Sequence, residues 1–555
     1  MAPSTDSVKK PLACLALFGL LVYLRFVYLQ ADFPLGLGGT GMAYTDEGWW
    51  SRNAVAWVRE GNWYVDDGYN TITNLPVLPI IQAVWFKLFG VGLVSARAIT
   101  VVCSLIVSGF VYVFARRELA KHLAWIAPFI VLTNYPTFAY TRMALLEMPM
   151  LVFLMASLWL VTKPQTLQAV VDSGTEAYEK ANKGPSKEAL GTIVCVVVSG
   201  LLFTLAMLTK TTALFALPVV VIAICDPAIS GWLSSLQLGK RWSAKRLPAD
   251  LLPQLRLAAI WLLAVGVSLG LCYFLLSQVG DTQSQAYFAN RNIAAKVPRN
   301  IFAFLKAPLR VIERSFTLFP LLFPGLLGAI FLLTKAGKLK ESQLFRLTVL
   351  WVAAVLGTFS LSDFAAPRYF LVLVVPMAWA VPLLLEHMLN YRKVLRGRVL
   401  RGKGLRKKVS RASAIVMIVF IASTGISLFK IGNYLRSPQF TLVETANAID
   451  QYVEAEGVSN NVVMGSFTDT LALAANDIKA INDRMGFRSA EERISIFNPS
   501  YYLSIGPVGT FKKEADQKIQ AALEQRYRLV LLEQFDLFQN RDFGQPIFFY
   551  QLTPR

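Results

Sequence analysis

The chain has 555 residues, of which 55% are hydrophobic and only 16% charged, with a mean hydropathy of +0.48. A soluble protein of this length carries about 25% charged residues, so an ordinary soluble domain is excluded. The formal charge of +20 does not point to nucleic acid, because the Lys and Arg residues cluster in particular loops between apolar runs, as the positive-inside bias produces.

Eleven apolar runs predict membrane spans at roughly 11–30, 95–115, 121–139, 145–162, 190–208, 211–226, 256–278, 316–334, 345–361, 369–389 and 412–431. Each must be a helix, since an open strand leaves its backbone groups unsatisfied in lipid. The first run reads as an uncleaved span. It is long, Tyr23-Leu24-Arg25-Phe26 interrupts its second half, and no small-x-small cleavage site follows closely. With the N-terminus cytoplasmic, every inner loop is basic: Arg116, Arg117 and Lys121; Lys163, Lys180, Lys183 and Lys187; Lys240, Arg241, Lys245 and Arg246; Lys335, Lys338 and Lys340; and the run from Arg392 to Arg411. That last run reads as an anchor on anionic headgroups. Cys14, Cys103, Cys195, Cys225 and Cys272 all lie in or beside apolar runs, which leaves no disulfide framework and no zinc spacing.

The outer face then receives the first loop, 31–94, a short turn near 139–145, a polar loop at 279–315 and the tail, 432–555. Within the first loop, 46–60 and 77–89 are aromatic-rich and too short to span, and read as helices lying in the interface. The tail has helical periodicity over 440–456 (Leu442, Val443, Ala446, Ile449, Val453) and 512–525 (Ala515, Ile519, Ala522), with strands at 461–465, 528–533 and 546–552. The expectation is an α-helical polytopic membrane domain, 1–431, followed by an extracytoplasmic α/β domain, 432–555. No internal repeat is visible.

Ionisable groups in or near spans are costly, and so are functional candidates. This topology gathers Asp46, Glu47, Arg97, Arg142, Glu147, Lys210 and Arg368 at one face. Cations there suit a phosphate and the charge that develops as it leaves; a carboxylate suits removal of a proton from an acceptor. The alternatives are structural. Asp46 at the start of a helix over 47–60 is a good N-cap, Glu47 suits a first turn, and the cations can snorkel. Trp49, Trp50, Trp57 and Trp63 read as interface anchors. His122 and His387 fall at inner ends, and Asp469, Asp477 and Asp483 read as solvated surface.

Asp46-Glu47-Gly48-Trp49-Trp50 through Gly61-Asn62-Trp63, then Asn74-Leu75-Pro76-Val77-Leu78-Pro79, Phe86-Lys87-Leu88-Phe89-Gly90 and Ala96-Arg97, resembles the first lumenal loop of the C-type (GT-C) membrane glycosyltransferase superfamily. The branch it is most similar to is the bacterial protein-mannosyltransferase-like one that includes the aminoarabinose transferases. Leu208-Thr209-Lys210 and Arg368-Tyr369-Phe370 with Pro376 resemble the same branch. The resemblance covers about residues 1–390. It implies the GT-C fold, Asp46 as catalytic carboxylate with Glu47 left in support, Glu147 as second acid, and Lys210 and Arg368 on the donor phosphate; by their place at the same face, Arg142, Arg97 and Tyr369 are further phosphate-binding candidates. One departure is Thr73-Asn74-Leu75-Pro76, where the branch often has a Lys before paired prolines, sometimes preceded by Glu. A phosphate-binding cation and a candidate metal ligand are thereby missing, which argues against aminoarabinose specificity. A divalent ion is left open as a cofactor, and no residue is assigned to it.

The expected function is inverting transfer of a sugar from a polyprenyl-phosphate donor to a lipid, glycan or protein acceptor, outside a bacterial inner or plasma membrane. Membrane lipids are the other partner, and nucleic acid is not one. The competing expectations are a transporter or flippase of a lipid-linked saccharide and a non-catalytic scaffold. Neither the repeated halves nor the matched discontinuous helices of many transporters are visible.

Overall fold

The computed structural model describes residues 5–37, 40–162, 187–235, 246–279, 281–292, 301–362, 366–397, 403–455, 461–465, 467–475, 478–504, 513–538 and 546–555. The basic segments at 163–186, 236–245 and 398–402, Lys296, Arg299 and Asp477 lie outside them. Each of the eleven expected runs carries helix, but not each is one helix: 121–139 is divided among Lys121–Ala124, Ile126–Thr133 and Tyr135–Thr141, and 316–334 between Ile301–Leu318 and Leu322–Lys335. Among the described residues, seven helices are long and apolar enough to cross a bilayer, including Leu93–Arg116, Gln343–Ser360 and Pro367–Asn390. A bent pair, Leu305–Leu318 and Leu322–Lys335, makes an eighth span if counted as one. Leu15–Phe26, Lys121–Thr133 and Glu147–Val161 are shorter apolar helices. The chain is a helical integral membrane protein with a small C-terminal sheet domain.

Three expectations are corrected. The segment 279–315 is not merely a polar loop. It contains the helix Thr282–Asn292 and the helix Ile301–Leu318. Leu305, Leu309, Ile312 and Phe316 expose an apolar face while Ala307 and Val311 are buried; its cations sit among apolar residues at helical spacing, and this hid the helix. The helix turns by 111° into the next one, across Phe319-Pro320-Leu321, where proline offers no N–H to continue the ladder. Second, the helix expected from 47 begins at Thr40 and runs to Glu60, so Asp46 lies inside it and is not its N-cap. Third, that helix does not lie open in the interface: residues 46–49 and 51–56 are buried. The helix Val77–Phe89 does expose Ile80, Val84, Leu88 and Phe89, as an apolar face against lipid requires.

The C-terminal domain is a five-stranded mixed sheet in the order β2-β1-β3-β5-β4. Its strands are β1 (Val462–Gly465), β2 (Lys479–Ile481), β3 (Tyr501–Ser504), β4 (Tyr527–Phe535) and β5 (Ile547–Pro554). β1 is parallel to both β2 and β3, while β5 is antiparallel to β3 and β4. The central strand, β3, is only four residues long and does not stand out in the sequence. Helices Thr441–Ala455 and Lys513–Glu524 lie where periodicity expects them.

Among the described residues, the two largest apolar cores organise the chain. One fills the membrane region around Trp261, Trp351 and Trp379. The other joins the first loop to the C-terminal domain, with Ala54, Phe86 and Leu93 packed among Leu442, Val463, Leu471 and Phe549. Polar ties reinforce the second. Asp32 Oδ2 accepts from Thr441 N–H (2.8 Å) and Oγ1 (2.7 Å), and Oδ1 accepts from Leu442 N–H (3.1 Å); a first-loop carboxylate thus caps the helix that opens the tail. Gly68 and Gly486 meet back to back. Gly486 has φ +107°, and a Cβ there would stand 2.4 Å from the Gly68 carbonyl oxygen. Gly486→Ala is therefore expected to lose about 1–3 kcal/mol, read as a lower unfolding midpoint and faster proteolysis of the C-terminal domain while the membrane helices stay protected.

Candidate active site

Four candidate residues from four distant segments form one buried cluster. Asp46 comes from the 40–60 helix and Glu147 from the first turn of Glu147–Val161. Lys210 precedes the 3-10 helix Thr211–Ala216, and Arg368 lies in the 3-10 helix Pro367–Leu373. Arg368 Nη2 is 2.6 Å from Asp46 Oδ2, and Arg368 Nε is 3.1 Å from Glu147 Oε1. Lys210 Nζ donates to the same Glu147 oxygen at 2.5 Å. Tyr369 lies against both cations, its ring centroid 4.3 Å from Lys210 Nζ and 5.3 Å from Arg368 Cζ. None of the four charged residues is more than 6% exposed, so each charge depends on the others. The local backbone explains the placement. Lys210 and Arg368 both sit where a span stops being α-helical: Lys210 is the extended residue between the helix Lys187–Thr209 and the 3-10 turn, and Arg368 lies inside a 3-10 turn.

Glu47, Arg97 and Arg142 have other partners in the structure. Arg97 binds Glu47 through both carboxylate oxygens (2.8 and 2.6 Å), and its remaining nitrogen donates to the carbonyls of Leu29 and Ala31. Glu47 also accepts from Ala144 N–H at 2.8 Å. Arg142 donates to the carbonyls of Leu24, Arg25 and Tyr28 at the end of the helix Thr5–Phe26, the arrangement a helix C-terminus favours. Arg25, which interrupts the first apolar run, is fully buried and donates to Thr141 Oγ1 and to the carbonyls of Val131 and Leu132.

The overall arrangement has known counterparts. ArnT from Cupriavidus metallidurans bound to undecaprenyl phosphate superposes with TM-score 0.53 at 12% identity, covering 99% of this chain and 98% of that one. The oligosaccharyltransferase AglB from Archaeoglobus fulgidus, in complex with an inhibitory peptide and a dolichol-phosphate, superposes with TM-score 0.51 at 12% identity, covering 94% and 73%. The fold is that of the GT-C glycosyltransferases. Residues 74–168 also match the family model described as dolichyl-phosphate-mannose-protein mannosyltransferase. No curated protein sequence matches the chain.

The GT-C fold here carries a second buried polar network that sequence reading missed. Asp469 and Asp483 are not solvated surface; both are buried. Arg52, one turn beyond Gly48, is bound to Asp67 at 2.5 Å and to Asp469 at 3.4 Å. Asn482 reaches both acids, its backbone N–H donating to Asp67 Oδ2 (3.1 Å) and its Nδ2 to Asp469 Oδ2 (3.4 Å). Arg493 donates to the Asp67 carbonyl. The available signal was Thr468-Asp469-Thr470 following the short strand and glycine, an acidic first turn of the helix Thr468–Ala474. Its partner, Arg52, lies more than 400 residues earlier in the chain.

Burial pushes the Asp469 carboxyl up to about 6, with Arg52 only partly opposing the shift. The folded chain then holds this proton more tightly than the unfolded chain, whose carboxyl titrates near 4. The contribution of Asp469 to stability is greatest below that value and declines as pH rises through about 4 to 6. Asp469→Asn is expected to remove a decline of about 3 kcal/mol across that window, read from unfolding midpoints of both proteins at pH 4 and pH 7. Glu47→Ala leaves Arg97 buried without its carboxylate and is expected to cost about 3–5 kcal/mol, seen in the melts at pH 7.

Proposed function

We propose that the protein is an inverting glycosyltransferase that moves a sugar from a polyprenyl-phosphate donor to an acceptor at the extracytoplasmic membrane face. The single observation behind this is the buried cluster, which sets one carboxylate, Asp46, against a guanidinium that also reaches Glu147, with Lys210 alongside. Undecaprenyl phosphate and dolichol-phosphate, bound by the two neighbours, are both polyprenyl phosphates and supply the donor class. The basic loops supply the orientation: the C-terminal domain faces outward and the basic loops face the cytoplasm of a bacterial cell.

In this reading Asp46 takes the proton from the acceptor hydroxyl or amine. The freed electron pair forms the new bond to the anomeric carbon while the carbon–oxygen bond to the donor phosphate breaks on the opposite side. That bond's electrons go to the phosphate, which gains a negative charge. Lys210 and Arg368 meet the charge in a region closed to water, where such stabilisation is strongest. Glu147 holds the two cations at one spacing, and Tyr369 walls them off through its ring. Glu47 and Arg97 fix the helix that carries Asp46, and Arg142 ties the first span to the turn before Glu147. Among the described residues no three His, Cys, Asp or Glu side chains gather as a metal site, and the reading assigns none. The acceptor is a glycan, lipid or protein of the cell envelope.

The test is transfer of labelled sugar from a polyprenyl-phosphate donor to envelope acceptors by purified protein in lipid. Asp46→Asn is expected to lower kcat by about 10²–10⁴. Arg368→Lys, which keeps the charge but not the fork, is expected to lower kcat by about 10-fold or more. Full activity of folded Asp46→Asn protein removes Asp46 as the base, and movement of the saccharide across the bilayer without covalent transfer replaces the whole reading with transport.

A further inference from the structure

Three consecutive residues of the 40–60 helix grip three different parts of the molecule. Asp46 pairs with Arg368 of the membrane region. Glu47, about 100° further round the helix, pairs with Arg97 and accepts from Ala144 N–H. Gly48, another 100° on, faces the C-terminal domain, where its N–H donates to Thr470 Oγ1 at 3.0 Å. The side of the helix nearly opposite Asp46 is therefore the side held by the C-terminal domain.

That contact is backbone on backbone. A Cβ built on Gly48 would stand 2.1 Å from Thr470 N and 2.3 Å from the Asp469 carbonyl carbon. Only glycine lets the two helices approach this closely. The same helix face continues the grip, because residues four apart share a side. Arg52 reaches Asp469 and Asp67, and Arg59 donates to the Ala475 carbonyl at 3.0 Å. Gly48 lies inside the helix, so the Thr470 hydroxyl adds to the helix's own ladder, and because Thr470 is fully buried the contact is closed to water.

We propose that the C-terminal domain positions the catalytic base: Thr470, by holding the helix at Gly48, sets where the Asp46 carboxylate stands relative to Arg368. The inference rests on Asp46 being the base. Thr470 touches neither donor nor acceptor, so it is a positioning residue. The cations Lys210 and Arg368 are carried by other elements, so a displaced helix misplaces the base without dismantling the phosphate site. Misplacement near 1 Å costs on the order of 10² in rate.

The experiment compares Thr470→Val, which keeps the shape and removes the acceptor, with Thr470→Ser, which keeps the hydroxyl, in the full-length protein. The rate is normalised to folded protein. Thr470→Val is expected to lower kcat about 10-fold or more while leaving the donor KM within about twofold, and Thr470→Ser is expected to restore kcat to within about twofold. A merely structural contact would lower the yield of folded protein and leave kcat per folded molecule unchanged; that result overturns the proposal, as does equal impairment by Val and Ser. If Thr470→Val does not fold, Arg52→Lys decides, with the same fall in kcat at constant donor KM expected and an unchanged kcat overturning. Asp46→Asn is run beside them. An inactive Asp46→Asn with a fully active Thr470→Val sinks the positioning role alone, whereas a fully active Asp46→Asn sinks the reading beneath it.

Discussion

Arg368 binds two carboxylates at once, Asp46 at 2.6 Å and Glu147 at 3.1 Å, and Glu147 in turn binds Lys210. Withdrawing these four charges from water is expensive, and each is tolerable only because the others are near. That mutual dependence ties four segments to one point: the first-loop helix, the start of the 147–161 helix, the turn at Lys210 and the 3-10 helix at Arg368. The two 3-10 turns are the local consequence. A continuous α-helix at either position would carry the cation to a different side of its span.

A second constraint acts on the same helix from behind. The C-terminal domain reaches the 40–60 helix through Gly48, Arg52 and Arg59, and shares an apolar core with it. Its sheet is therefore packed on the membrane region rather than tethered beside it. Asp32 capping the 441–455 helix and the Gly68–Gly486 approach belong to the same junction. The charged side chains there are paired across the junction, Arg52 with Asp67 and Asp469 and Asp32 with the start of the 441–455 helix, which favours one arrangement of the two parts.

Much of this was legible from the residues themselves. Apolar run length located the helical membrane segments, because lipid admits only a narrow range of lengths and one backbone solution, but not the breaks within 121–139 and 316–334. The cost of ionisable groups near spans singled out Asp46, Glu147, Lys210 and Arg368, which stand together in the structure. The same rule also gathered Arg97 and Arg142. It could not assign their partners, because whether a cation meets the Asp46–Glu147 cluster, Glu47 or the end of the first helix depends on segments far away in the chain.

Sequence periodicity failed where burial came from elsewhere in the chain. Asp469 reads as surface because nothing within its own helix requires burial; Arg52 and Asp67 do. The helix start at Thr40 was missed because Asp46 is a better N-cap by type than the residues before it, although its side chain is taken by Arg368. Thus the sequence by itself determined the membrane-spanning class, the helical segments and the chemical types available at one face. Those follow from local hydropathy and from the price of burying charge. Which carboxylate meets which cation, and that the tail holds the helix of Asp46, was decided only by the tertiary structure, since these contacts join residues tens to hundreds of positions apart, at separations no local rule describes.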